Sequence, residues 1–324
     1  VLPDADDLAE LLLDLAVPHE DINQLVGLRR RVTGDPGLSR LVAEYSEDLV
    51  QYMGEIGRPS RIEDRSAEPP AALGDYFSVY VFVAALPYTR AYHRERGIPD
   101  EISRRTLADL GRHIAVYRRR YGRGGVQSPY WLVLHFRGLL YQLGRLQFER
   151  ARVRRSAARR LAATGMPESA GDPCLALHIP DFHGPLTPAA CDLSLARARE
   201  FFSRHFPEER RDTAICESWL LDPQLREYLP ADSNIVRFQD RFRVGWDGSE
   251  PADKEPVQFV FGDADLPPAD LPRRTSVQRA VGDHLRAGRH WHIGHGWFPL
   301  EPGELRGELG TREVPVGPQH YSDE

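Results

Sequence analysis

The chain has 324 residues, 41% hydrophobic and 28% charged, a length that favours two compact cores and a balance that excludes an intrinsically disordered protein. Its formal net charge of −6, from 48 acids against 42 bases, gives no general attraction to nucleic acid or to anionic lipid. No apolar run approaches the roughly 20 residues of a membrane-spanning helix, and the stretch Val1 to Asp14 is acidic where a signal peptide is basic, so a cytoplasmic protein is expected.

From residue 4 to about residue 122 the pattern is helical. Leu8, Leu11, Leu12 and Leu15 recur at the spacing that gathers them on one helix face. Residues 20–32 and 38–56 repeat this pattern, with Gly34-Asp35-Pro36-Gly37 as the turn between them. A loop over residues 59–70 precedes the most apolar stretch, residues 76–92, which reads as a helix buried on most sides at the centre of the first domain. Pro99-Asp100-Glu101 opens a further helix with acids where the helix dipole favours them, Arg118 to Arg120 close it, and residues 122–125 stop it.

A helix over residues 130–141 then leads into residues 144–151, where strict apolar and polar alternation announces a strand. Residues 157–171 read as a surface connection. Beyond them, strands are expected at 174–179, 213–221, 257–261 and near 297–300, and helices at 187–206, across 223–242 and at 276–287. That alternation indicates an α/β layer, and the tail after Glu301 shows no period.

Several residues have chemistry suited to a site. His178 ends a predicted strand, where ligands bind in open α/β sheets, and a neutral imidazole there can take a proton from an amine; it can equally bond a loop carbonyl. On the next predicted strand, alternation sends Cys216 and Ser218 to one face and Glu217 and Trp219 to the other. Cys216 beside His178 would make a thiolate nucleophile, with packing as the alternative, and Glu217 is a second candidate base. In His183-Gly184-Pro185-Leu186-Thr187-Pro188, Thr187 is a natural N-cap, and free N–H groups at such a helix start can hold a phosphate. Asn234 either joins the helix start capped by Ser233 or Asp232, or touches substrate. Cys174, Cys191 and Cys216 are an odd set without a CxxC spacing, so free thiols are expected. The histidines of residues 290–297 lack a nearby carboxylate or thiol to complete a metal shell, and no metal site is expected.

The segments Leu177-His178-Ile179-Pro180, Gly184-Pro185-Leu186, Cys191-Asp192-Leu193-Ser194-Leu195, Phe201-Phe202, Ser218-Trp219-Leu220-Leu221-Asp222-Pro223 and Ser233-Asn234-Ile235-Val236-Arg237-Phe238 resemble a bacterial family of GNAT-like acyltransferases. The resemblance extends to Gly144-Arg145-Leu146-Gln147-Phe148 at the junction and Thr275-Ser276-Val277-Gln278-Arg279-Ala280 near the end. It implies an α+β protein, with an all-helical N-terminal domain over 1–142 and a GNAT-like α/β domain with a mixed sheet over 143–324. It also implies acetyl-CoA or another acyl-CoA as co-substrate, in a gap between strands 174–179 and 213–221, with the pyrophosphate over the helix start at Thr187. The cofactor-binding candidates are then His183, Gly184, Leu186, Thr187 and Asn234. The catalytic candidates are His178, Glu217, Cys216 and Ser218, acting on a small-molecule amine or acyl substrate. The superfamily's glycine signature for pyrophosphate is missing at this helix start, and Pro185 and Pro188 supply no N–H. That absence motivates a second reading, a catalytically silent ligand- or partner-binding module. A third is a cysteine-dependent acyl hydrolase built on Cys216 and His178.

Overall fold

The computed structural model describes residues 2–64, 68–126, 128–209, 211–245 and 250–300. The tail after Glu301 lies outside the described residues.

Among the described residues seven α-helices form the first half: α1 (Ala5–Asp14), α2 (His19–Gly34), α3 (Pro36–Gln51), α4 (Phe77–Glu95), α5 (Asp100–Leu107), α6 (Asp109–Tyr121) and α7 (Pro129–Phe136). Local chemistry sets several of their ends. Asp4 accepts from the N–H groups of Asp6 and Asp7 at the start of α1, and Asp35 does the same for Gly37 and Leu38 at the start of α3, with Pro36 as first helical residue. As its apolar circumference implies, α4 is the core element, with Val79 through Leu86 all buried. The single helix expected after Pro99 is two, α5 and α6, joined at Ala108. Gly111 of α6 explains the close approach there: a Cβ at this position would lie 2.1 Å from the Ala16 carbonyl oxygen, where the chain leaves α1.

The helix expected over 130–141 ends at Phe136 because Gly138, at φ +66°, turns the chain out of it. Arg137, in that turn, is buried, and its guanidinium donates to the carbonyls of Leu49 (3.0 Å), Asp48 (3.2 Å), Pro59 (3.1 Å) and Arg58 (2.5 Å). It thereby fastens the end of α3 and the following loop to α7.

The sheet begins immediately afterwards. Its strands are β1 (Leu140–Leu143), β2 (Leu146–Arg152), β3 (Pro173–His178), β4 (Thr213–Ser218), β5 (Arg243–Gly245) and β6 (Gly294–Pro299), in the spatial order β1-β2-β3-β4-β6-β5. Among the described residues only β3 and β4 pair in parallel, so the sheet is mixed, as expected. The strand expected over 144–151 is the second arm of a hairpin whose first arm, β1, begins on the last two residues assigned from sequence to a helix. The surface connection of 157–171 contains a helix, α8 (Arg155–Leu161). α9 (Pro188–His205) and α10 (Asn234–Gln239) follow as expected, but residues 257–261 are not a strand. They belong to α11 (Lys254–Phe261), ended by Gly262 at φ +85°, with Val257 buried and Phe259 54% exposed. A five-residue apolar run carries no period long enough to separate the two states. α12 (Ser276–Arg286) starts at a capping box formed by Thr275 and Gln278.

One sheet face, carrying Phe148, Leu175, Leu177, Ala214 and Cys216, packs on Cys191, Leu195, Ala198 and Phe202 of α9. The other face meets α8 through Cys174, Ile215 and Trp297. The helical half joins the sheet at His93, whose Nδ1 lies 2.7 Å from the Ser103 hydroxyl and whose ring packs 5.5 Å from Tyr141 of β1. Among the described residues no helix is long and apolar enough to cross a membrane.

Replacing Arg137 with Met strands four backbone carbonyls, and urea denaturation is expected to show a loss of about 3 kcal/mol. Burial pulls the His93 imidazole down to about 4. The unfolded chain therefore takes up the proton first: the stability His93 contributes is fully present above pH 6.5 and is lost as pH falls through about 4. Stability curves measured across that window should flatten in His93→Gln.

Candidate active site

The parallel ladder between β3 and β4 is short. It contains only Leu175 opposite Ala214 and Ala176 opposite Ile215, although β3 runs on to His178 and β4 to Ser218. Beyond the second pair the two strands part. Each is held on its far side by an antiparallel neighbour: His178 remains in register with Gln147 of β2, and Ser218 with Gly294 of β6. The inner edges of the parted ends thus face each other without a shared ladder.

Alternation distributes the side chains around this opening. Ala176 and His178 share a face with Ile215 and Glu217, while Leu177 and Cys216 point into the core beneath α9. The His178 side chain is 25% exposed, and its Nε2 lies 2.9 Å from Oε2 of Glu149 on β2. Its ring meets the edge of Trp131, from α7, at 4.7 Å between centroids. His178 Nδ1 has no hydrogen-bond partner among the described residues. Behind it, Gln147 Nε2 stands 3.5 Å from His135 Nε2, which lies 2.9 Å from Asp109 Oδ2. Burial alone would raise the Asp109 carboxyl, but His135, His113 and Arg112 surround it and hold it well below the usual carboxylate range.

Glu217 is on the same face as His178 but is already engaged. Arg154 donates to its Oε2, and His295 Nδ1 lies 3.6 Å from its Oε1. Burial pushes this carboxyl up, yet His295 and Arg154 outweigh burial and hold it below its ordinary value, which makes it a weak base. Ser218 accepts from the Leu220 N–H at 3.1 Å, capping the turn that follows β4. Cys216 is 1% exposed, and burial drives its thiol far up. It stands on the opposite face from His178, so the structure does not bring those two together as nucleophile and base.

The loop between β3 and α9 holds the remaining candidates. Thr187 caps α9 as expected, accepting from the Ala190 N–H at 3.2 Å, and Leu186 is buried. His183 is half-buried; burial, followed by the nearby Arg112, pulls its imidazole down to about 4, and its Nε2 has no partner. The loop's shape depends on Arg145 in the β1–β2 turn, which donates from Nε to the Gly184 carbonyl (2.8 Å) and from Nη1 to that of Pro180 (2.7 Å). The Arg145 N–H is in turn accepted by Ser194 Oγ of α9 at 2.8 Å. Asn234 is the first residue of α10, whose start is capped by Ser233 accepting from the Val236 N–H at 3.3 Å. Near the chain's end, His290 Nδ1 bonds Asp253 at 2.7 Å and the His292 N–H bonds Asp222 at 2.9 Å. These bonds pin the approach to β6.

Two of His178's neighbours were not singled out from sequence. Glu149 carried a readable signal, since alternation places it with Gln147 on one face of β2. Trp131 carried none, because it comes from a helix assigned to the other domain.

A parallel pair that separates after two residues is the feature expected of the GNAT-like class of acyl-transfer folds. Residues 6–138 match the family model described as N-acyltransferase N-terminal domain, and residues 140–298 match that described as GNAT-like C-terminal domain. The chain belongs to this family of acyltransferases. It is 40% identical to an acyltransferase solved in complex with decanoyl-CoA and teicoplanin, over 93% of this chain and 90% of that one, with a TM-score of 0.80. The same identity and coverage, with a TM-score of 0.82, hold for a point mutant solved with octanoyl-CoA and for an acyltransferase solved with CoA and 10C-teicoplanin. A comparison with curated proteins finds no match.

Because Cys174, Cys191 and Cys216 are all buried, iodoacetamide should leave the native protein unlabelled and modify all three thiols once it is unfolded, as read by intact-protein mass spectrometry.

Proposed function

We propose that this protein is an acyl-CoA-dependent N-acyltransferase that moves an acyl group from the thioester to an amine by direct attack. The observation that carries this reading is the early parting of β3 and β4, which opens two unpaired strand edges beside His178. Support comes from the bound molecules of the similar structures, octanoyl-CoA, decanoyl-CoA and CoA. A medium-length acyl thioester is therefore the donor we favour over acetyl-CoA. The acceptor we favour is an amine on a glycopeptide, by likeness to the acyltransferase solved with teicoplanin.

In this reading the extended arm of the thioester lies along the parted strands and its phosphates approach the start of α9. The loop there differs from the common glycine-rich form. Thr187 has taken the Ala190 N–H, and Arg145 braces the loop from the β1–β2 turn. The amine nitrogen attacks the thioester carbonyl, an N–C bond forms and the C–S bond breaks. His178 receives the amine proton at Nδ1 and passes it towards the departing thiolate. Backbone N–H groups on the free edge of β4 face the carbonyl oxygen as its charge grows. Glu217 is the less suitable base, since it is held ionised by Arg154 and His295. The buried Cys216 does not suit the covalent alternative.

Calorimetry with decanoyl-CoA, octanoyl-CoA and acetyl-CoA tests the donor, with binding of the longer thioesters expected. Heat from none of them would defeat the proposal. His178→Ala should lower kcat about 100-fold while leaving thioester affinity near that of the parent.

A further inference from the structure

We propose that Glu149 is a positioning residue for this reaction, its carboxylate selecting the His178 tautomer whose Nδ1 is free to accept the amine proton. The inference rests on the acyl-transfer reading and adds to it a residue from β2.

In the β2–β3 register, Gln147 lies opposite His178 and Glu149 opposite Ala176. Glu149 is therefore the diagonal neighbour of His178 on one sheet face, within reach of a long side chain. An ionised carboxylate can only accept, so the 2.9 Å contact between Glu149 Oε2 and His178 Nε2 places the ring hydrogen on Nε2. A neutral imidazole has one such hydrogen, so the lone pair is on Nδ1, the nitrogen without a partner among the described residues. The edge of Trp131 against the ring limits its rotation. When the proton arrives, the imidazolium forms beside a fixed negative charge. An acid in this position can orient a histidine without itself being protonated.

Among the described residues no other group duplicates the role. From β4, Glu217 is engaged by Arg154 and His295. From α7, His135 is paired with Asp109 of α6. Cys174, further back on the same face of β3, is buried, and burial pushes its thiol up to about 12.

The test combines kinetics with a measurement that needs no substrate. In Glu149→Gln the charge is lost while the shape is kept, so kcat should fall about tenfold or more, with KM for the thioester within about twofold. A purely structural role would leave the tautomer of the His178 ring unchanged. In 15N-histidine-labelled protein, His178 should be the Nε2–H form in the parent and lose that preference in Glu149→Ala. The proposal is overturned if the parent shows the Nδ1–H form, or if Glu149→Gln keeps parental kcat. If the parent bound no acyl thioester, the transfer reading would fall, whereas the tautomer measurement would still decide whether Glu149 orients the ring.

Discussion

The short ladder between β3 and β4 is the constraint on which the site depends. Two strands that stop pairing would ordinarily leave unsatisfied backbone groups and a frayed end. Here each parted end keeps an antiparallel partner on its outer side, through Gln147 opposite His178 and Gly294 opposite Ser218. The separation is thus built into the sheet, and only the inner edges lack a ladder partner. The same pleat that opens the gap sorts its side chains, sending His178 and Glu217 to one face and burying Leu177 and Cys216 under α9.

The helical half takes part in this site as well as supporting it. Trp131 of α7 reaches the His178 ring, and His135, one turn later, connects Gln147 on β2 to Asp109 on α6. At the other end of α6, Arg119 stacks over Phe182 in the loop after β3, and Arg120 bonds Gln258 and Asp263 around α11. α6 and α7 therefore pack against the ends of β2 and β3 and the loop after β3, and the contacting residues of the two halves are interleaved in space although they are separate in sequence.

Much of this was readable before the coordinates. The leucine spacing of α1, the all-round apolar character of α4, the Thr187 cap and the strand ending at His178 are each fixed by neighbours within a few residues. What escaped depended on distant partners or on runs too short for a period. Residues 257–261 are apolar in either state, and only packing beside α12 and the left-handed Gly262 make them helical. β1 was hidden inside a helical pattern because the break at Gly138 is a backbone property. Glu149 and Trp131 gain meaning only when two strands and a helix converge on one imidazole. Alternation separated Glu217 from Cys216, but the ion pair that occupies Glu217 comes from Arg154, which nothing in the strand pattern links to it.

Arg145 lies in the turn between the first two strands, yet its guanidinium shapes the loop that follows the third. The segment from Pro180 to Pro188 is consequently not a self-contained module. Transplanting it into a related scaffold would carry its letters without its form unless the arginine some forty positions upstream travelled with it, and an inventory of this loop's variation in which position 145 is ignored would mistake a dependent element for an autonomous one.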